Sequence, residues 1–165
     1  LRRAPLLIAL TVLFFDIATK ALTHFFLPVM SGETPFYPYG GIGVFQHLGG
    51  IDFSISHATN KGAAWGMLPE YQMPLLLFRI FFISSLLIYT LFFNKSPEKT
   101  IPFSLIIAGA FGNILDTFMY GHVIDMFFFV PFGYHYPVFN VADSAIFIGV
   151  IWLMFTPLFY KKVPS

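Results

Sequence analysis

Residues 101–121 read IPFSLIIAGAFGNILDTFMYG, and two features of that stretch decide the fold. It is long enough to cross a hydrocarbon core of roughly 30 Å, which takes about 20 apolar residues in a helix. It also carries Asn113 and Asp116, three apart and therefore on one helix face. An ionisable group in a membrane span is expensive and calls for a reason by default. Three further stretches have the same length and character, at about 5–27, 73–93 and 138–159, so the chain reads as four spans. Pro5, Pro74 and Pro102 sit at segment starts, where a missing N–H costs nothing.

Composition agrees, since 57% hydrophobic and only 10% charged residues leave too little polar surface to coat a water-soluble globule. A net charge of +1, with nine basic residues spread along the chain, excludes a nucleic-acid partner. The absence of cysteine excludes a thiol nucleophile, a disulfide, a thiolate metal site and a palmitoyl anchor. The five histidines form no metal-binding spacing, so neither a metal nor another cofactor is expected. A serine protease lacks its G-x-S-x-G elbow and has no lysine helically near a serine inside a span. Leu1 in place of methionine suggests a trimmed start. The Arg2-Arg3 pair before an apolar run could also open a signal peptide, but Asp16 and Lys20 interrupt that run.

Lys and Arg in short flanks set orientation: Arg2 and Arg3, Lys95 and Lys99, and Lys161 and Lys162 mark one side, which is then cytoplasmic with both termini. Loops 28–72 and 122–137 fall outside. In the longer one, Ile51, Phe53 and Ile55 alternate with Asp52, Ser54 and Ser56, the period-two pattern of a strand with one buried face. The fold class is therefore an all-α integral membrane protein, a four-helix bundle with a small extracytoplasmic sheet between the first and second spans. Residues 1–165 are read as a single membrane domain.

The carboxylates gather near the outer rim. Asp116 lies near the outer end of the third span, Asp125 in the loop that follows, and Asp143 roughly 9 Å below Pro137 on the fourth. Asn140 and Asp143 are again three apart, matching Asn113 and Asp116. Ala108, Gly109 and Gly112 would let neighbouring backbones approach closely. Two carboxylates at hydrogen-bond range tend to share one proton near neutral pH, one acting as base and the other as acid. Asp125 and Asp143 are the candidate pair, for amide hydrolysis by an activated water. Asp16 and Lys20, four apart, read first as a structural ion pair, and Arg79 either reaches the interface or neutralises Asp116. A small ion or proton carrier and a membrane assembly factor also use buried carboxylates. The carrier reading expects polar residues across the whole depth, whereas the second and fourth spans are almost wholly apolar toward the cytoplasm.

Taken in order, the polar fragments resemble the boxes of the lipoprotein signal peptidase (signal peptidase II) family. They are Asp16-Ile-Ala-Thr-Lys20, Asn60-Lys-Gly-Ala-Ala-Trp-Gly66, Gly109-Ala-Phe-Gly-Asn-Ile-Leu-Asp116, Val123-Ile-Asp-Met-Phe127 and Pro137-Val-Phe-Asn-Val-Ala-Asp-Ser144. The resemblance implies an aspartyl protease of the bacterial inner membrane, active near the outer leaflet and blocked by globomycin. Its substrates would be prolipoproteins cut just before a diacylglyceryl cysteine. It implies that Asp125 and Asp143 are catalytic, that Asn60, Asn113, Asp116 and Asn140 support the site, and that the sheet cradles it. Gly62 and Ala63 of the outer-loop box join the candidate site residues, as do Asp16, Lys20 and Arg79. The expected partners are those substrates and membrane lipids, with the protein a monomer. One departure is the Asp116-Thr117 pair where the family has Asp-Arg, for which Arg79 is the expected substitute.

Overall fold

The computed structural model describes residues 3–30, 37–62 and 66–159. Ala63 and the orientation signals Arg2, Lys161 and Lys162 lie outside the described residues. Four helices carry the bundle: α1 (Arg3–Phe26), α2 (Gln72–Ile88), α3 (Thr100–Tyr120) and α4 (Val141–Phe159). With short flanking turns, all four apolar stretches are long enough to cross a membrane. The protein is a multi-pass membrane protein.

The helix α3 is the hub. It packs against α1, α2 and α4, whereas α2 rests mainly on α3. Half of the apolar stretch of α3 is buried, against less than a quarter in each of the others, whose phenylalanines and leucines face outward. Small residues make this possible. A Cβ added at Gly109 would strike the Ala142 carbonyl of α4, and one at Gly112 would strike the Asp16 carboxylate of α1. Gly121, at φ 76°, closes α3 by donating its N–H to the Thr117 carbonyl at 3.1 Å.

Three antiparallel strands, β1 (Ile42–Leu48), β2 (Ile51–Asn60) and β3 (Val123–Pro131), lie in sequence order against the ends of α1 and α3. The expected sheet between the first two spans is therefore completed by a strand from the second loop. Asp125 sits on that strand, not in an irregular loop. β2 carries one extra residue, since Ile55 pairs with Phe127 but Ala58 with Asp125. Such a bulge bends its strand and re-aims neighbouring side chains.

The alternation in 51–56 marks two faces correctly but misplaces the covered one. Ser54 and Ser56 are fully buried, sharing a hydroxyl–hydroxyl bond of 3.2 Å, while Ile51, Phe53 and Ile55 are half-buried. Mutual hydrogen bonding lets the serines go inside beside Phe128 and Tyr39. The fourth helix also starts later than expected, at Val141 rather than near 138. Residues 132–140 instead fold back on β3, with Phe139 exchanging backbone bonds with Phe127 and Tyr136 donating to the Phe129 carbonyl.

Candidate active site

The site begins from a buried lysine. Lys20 and Asp16 are each 1% exposed, and four residues of helix bring the ammonium 2.7 Å from the Asp16 carboxylate. The same nitrogen reaches Asp116 at 2.8 Å and the Asn113 amide oxygen at 2.9 Å, so one cation serves two carboxylates on two helices. Backbone donors complete the balance. Asp16 accepts the Ala142 N–H at 2.8 Å, in the first turn of α4, and Asp116 accepts the Ile124 N–H at 3.2 Å, on the strand of Asp125. Burying such a group is tolerable only with partners of this quality.

The expected role of Arg79 is corrected here. Asp116 is held by Lys20, and Arg79 instead donates to the Gly62 carbonyl at 2.7 Å. Both α1 and α2 pack on α3, but the close approach of α1 at Gly112 brings Lys20 to Asp116, whereas Arg79 on α2 turns to the Gly62 carbonyl. Thr117, where an arginine was expected, returns its hydroxyl to the Asn113 carbonyl at 3.2 Å.

Asn140 is the N-cap of α4, and with Asp143 it forms a reciprocal box. The Asn140 side-chain oxygen accepts the Asp143 N–H at 2.8 Å, and the Asp143 carboxylate accepts the Asn140 N–H at 3.3 Å. The spacing of three is thus a helix start and not a shared mid-helix face. Asp143 accordingly lies in the first turn of α4. Asn113 donates to its other oxygen at 2.8 Å.

Asp125 is reached through the same amide. Asn140 Nδ2 lies 2.7 Å from Asp125 Oδ1, 3.1 Å from the Asn113 side-chain oxygen and 3.2 Å from the Ile124 carbonyl. Asn60 donates to the second Asp125 oxygen at 3.4 Å while its own oxygen accepts the Gly62 N–H at 2.9 Å. Asp125 is 4% exposed. Burial, then the nearby Asp143 charge, push its carboxyl from 3.8 up to about 7, against the lowering pull of Asn60, Lys20 and Asn140.

Both carboxylates line one cavity of about 940 Å³. Its floor is α3 at Ala110 and Asn113, its walls are α2 at Arg79 and α4 from Asp143 to Val150, and its cover is the sheet. The cover includes aromatic groups whose role the sequence reading missed. Phe129 and Phe139 stack at 5.9 Å with planes 12° apart, and Phe53 stacks on Phe129 at 4.3 Å. The signal was available in 123–131, where Val123, Asp125, Phe127, Phe129 and Pro131 alternate and so share a strand face. Of the expected site residues, the structure brings Asp16, Lys20, Asn60, Gly62, Asn113, Asp116, Asp125, Asn140 and Asp143 into one connected network, with Arg79 joined through Gly62.

The sequence profile described as signal peptidase (SPase) II matches residues 8–159. The lipoprotein signal peptidase of Chlamydia pneumoniae is 40% identical over 119 residues, covering 69% of each chain. That of Desulforapulum autotrophicum is 31% identical over 171 residues, 96% of this chain and 93% of its own. Among solved structures, one described as a bacterial membrane enzyme superposes with a TM-score of 0.80 at 27% identity, covering 100% of this chain and 95% of that one.

Proposed function

This chain belongs to the signal peptidase II family of aspartic peptidases, which remove signal peptides from lipoproteins, and from that premise we propose that Asp125 and Asp143 are its catalytic dyad. The proposal extends to an intramembrane endopeptidase that cuts a diacylglyceryl prolipoprotein just before the lipidated cysteine. The observation that carries it is the unbroken amide chain Asp125–Asn140–Asn113–Asp143, whose two carboxyl ends line one cavity.

Those links support distinct roles for the two carboxyls. Asp125, raised to about 7, is about half protonated near neutral pH, and in its protonated form it hydrogen-bonds the scissile carbonyl oxygen. Asp143, held by Asn113 and by its own cap, takes a proton from the attacking water. The new C–O bond forms as the carbonyl electrons move to oxygen. Collapse of the tetrahedral species breaks the C–N bond, and the leaving amine takes its proton from the dyad. No covalent intermediate or metal is needed.

The site's depth suits the substrate. A shallow dyad at the first turn of α4 leaves the acyl chains of the lipidated cysteine in the outer leaflet, with the signal helix running inward between α2 and α4. In this reading the chain is a monomer of the bacterial inner membrane with both termini cytoplasmic. The test incubates purified protein in detergent with a diacylglyceryl prolipoprotein and follows the mature form on a gel. Asp125→Asn and Asp143→Asn should each lower the cleavage rate by about a thousandfold or more with thermal unfolding retained. Added chelator should change nothing. Cleavage by either variant at the parental rate would remove the dyad from the mechanism.

A further inference from the structure

The β2 bulge lies next to the Ala58–Asp125 pair, opposite Met126, and it contains a buried residue that the catalytic cavity does not touch. His57 occupies the irregularity between Ile55 and Ala58, the residue paired with Asp125. It is buried, and it is absent from the lining of the catalytic cavity. Two hydrogen bonds, one of them part of a parallel bridge, tie it to the chain leaving α1. Its backbone oxygen accepts the Met30 N–H at 2.8 Å, Val29 bridges to it in parallel, and its ring Nδ1 lies 2.9 Å from the Leu27 carbonyl. A carbonyl can only accept, so Nδ1 carries the proton. The other ring nitrogen, Nε2, has no hydrogen-bond partner among the described residues. Its ring packs edge-on against His24 of α1 at 5.7 Å, and His24 in turn lies 4.6 Å from Tyr120 of α3. The same imidazole therefore fastens the α1 exit to the bulge and does so through one nitrogen.

We propose that His57 is a positioning residue, whose Nδ1–H bond to the Leu27 carbonyl fixes the β2 bulge and thereby aims the Asp125 carboxylate at Asn140 and Asn60. The physical reason is register. With two residues of β2 opposing one of β3, the pairing Ala58↔Asp125 is stable only while the extra residue is held out of the ladder. Releasing it lets β2 slide, and a small displacement of a catalytic group is costly in rate without altering substrate affinity.

This inference rests on Asp125 being catalytic, and the experiment separates the two. Steady-state cleavage is measured for His57→Ala, His57→Asn, His57→Gln and Asp125→Asn, with deuterium exchange followed over residues 123–127. Asparagine presents its amide N–H near the position of Nδ1 and glutamine near that of Nε2. His57→Ala and His57→Gln should lower kcat by about tenfold to a hundredfold with KM within about twofold, and should speed exchange in 123–127. His57→Asn should restore kcat to within about threefold of the parent and slow that exchange again. If alanine prevents folding, the asparagine and glutamine variants alone decide, being amides of the same chemistry. Equal kcat for those two, or an unchanged kcat in His57→Ala while Asp125→Asn is dead, would overturn the positioning role. Full activity in Asp125→Asn would instead overturn the dyad.

Discussion

Asp125 combines three circumstances that seldom coincide at a structural carboxylate: near-complete burial, a second carboxylate in the same cavity, and, among the described residues, only amide donors as partners. Its carboxyl is accordingly driven up to about 7, chiefly by burial and then by Asp143. For an acid, a folded-state value above the unfolded 3.8 means that the folded protein holds the proton more tightly. The stabilisation is complete below about 3.8 and is lost as pH rises through about 7. The same ionisation removes the acid half of the proposed dyad. We therefore expect kcat/KM to fall above pH about 7, approaching tenfold per pH unit, since that ratio reports the free enzyme. A profile that stays level from pH 6 to 9 would show that Asp125 does not donate the proton. That Asp125 and Asp143 come to line one cavity was legible from their order along the chain and their places at the ends of the spans. Their connection through Asn140 was not, because a side chain that bonds four groups at once leaves no periodic trace.

The helices were legible and the ends of the elements were not, for a reason visible in α4. Apolar length alone cannot distinguish a spanning helix from an extended segment that pairs with a neighbouring strand, and residues 138–140 are the latter. The asparagine three residues before Asp143 was the discriminating sign, since Asn-x-x-Asp is a helix start as well as a shared face. The sheet shows the same limit, as alternation reveals two faces but not which of them another segment will cover. Charge pairing between elements was the hardest to read. Lys20 and Asp116 are far apart in sequence, and only the close approach of α1 to α3 at Gly112 lets one ammonium satisfy both Asp16 and Asp116. Removing that ammonium leaves two buried carboxylates without a cation. Lys20→Met is expected to destabilise the bundle by about 3–5 kcal/mol. Arg79→Gln, which loses a bond to a backbone carbonyl at the cavity wall, should cost less, about 1.5–3 kcal/mol. Thermal unfolding of both variants in the same detergent checks the pair, and equal losses would mean that Lys20 is not the principal counter-charge.

Across the molecule, the helices leave one side of the bundle open. α3 is enclosed by α1 and α4, while α2 leans mainly on α3, so the space between α2 and α4 is floored by Ala110 and Asn113 and roofed by the aromatic face of the sheet. A transmembrane substrate cannot descend from water onto a buried peptide bond, but it can slide laterally into such a gap from lipid. The geometry then fixes a depth. The wall residue Ile148 lies five residues along α4 from Asp143, or roughly 7.5 Å, and a signal helix of the same rise places its fifth residue before the cleaved bond at that level. Because the protein has no cysteine of its own, the register can be read by disulfide formation. Ile148→Cys is combined with Asp125→Asn to prevent turnover and mixed with a lipidated substrate carrying one cysteine five residues before the cleavage point. Oxidation should give a cross-linked product at several times the yield obtained from Phe14→Cys on the exposed face of α1. Moving the substrate cysteine by two residues rotates it about 200° around its helix and should abolish the preference. Comparable yields from positions 148 and 14 would place the substrate outside the α2–α4 gap, and the path from bilayer to dyad would have to run along another side of the bundle.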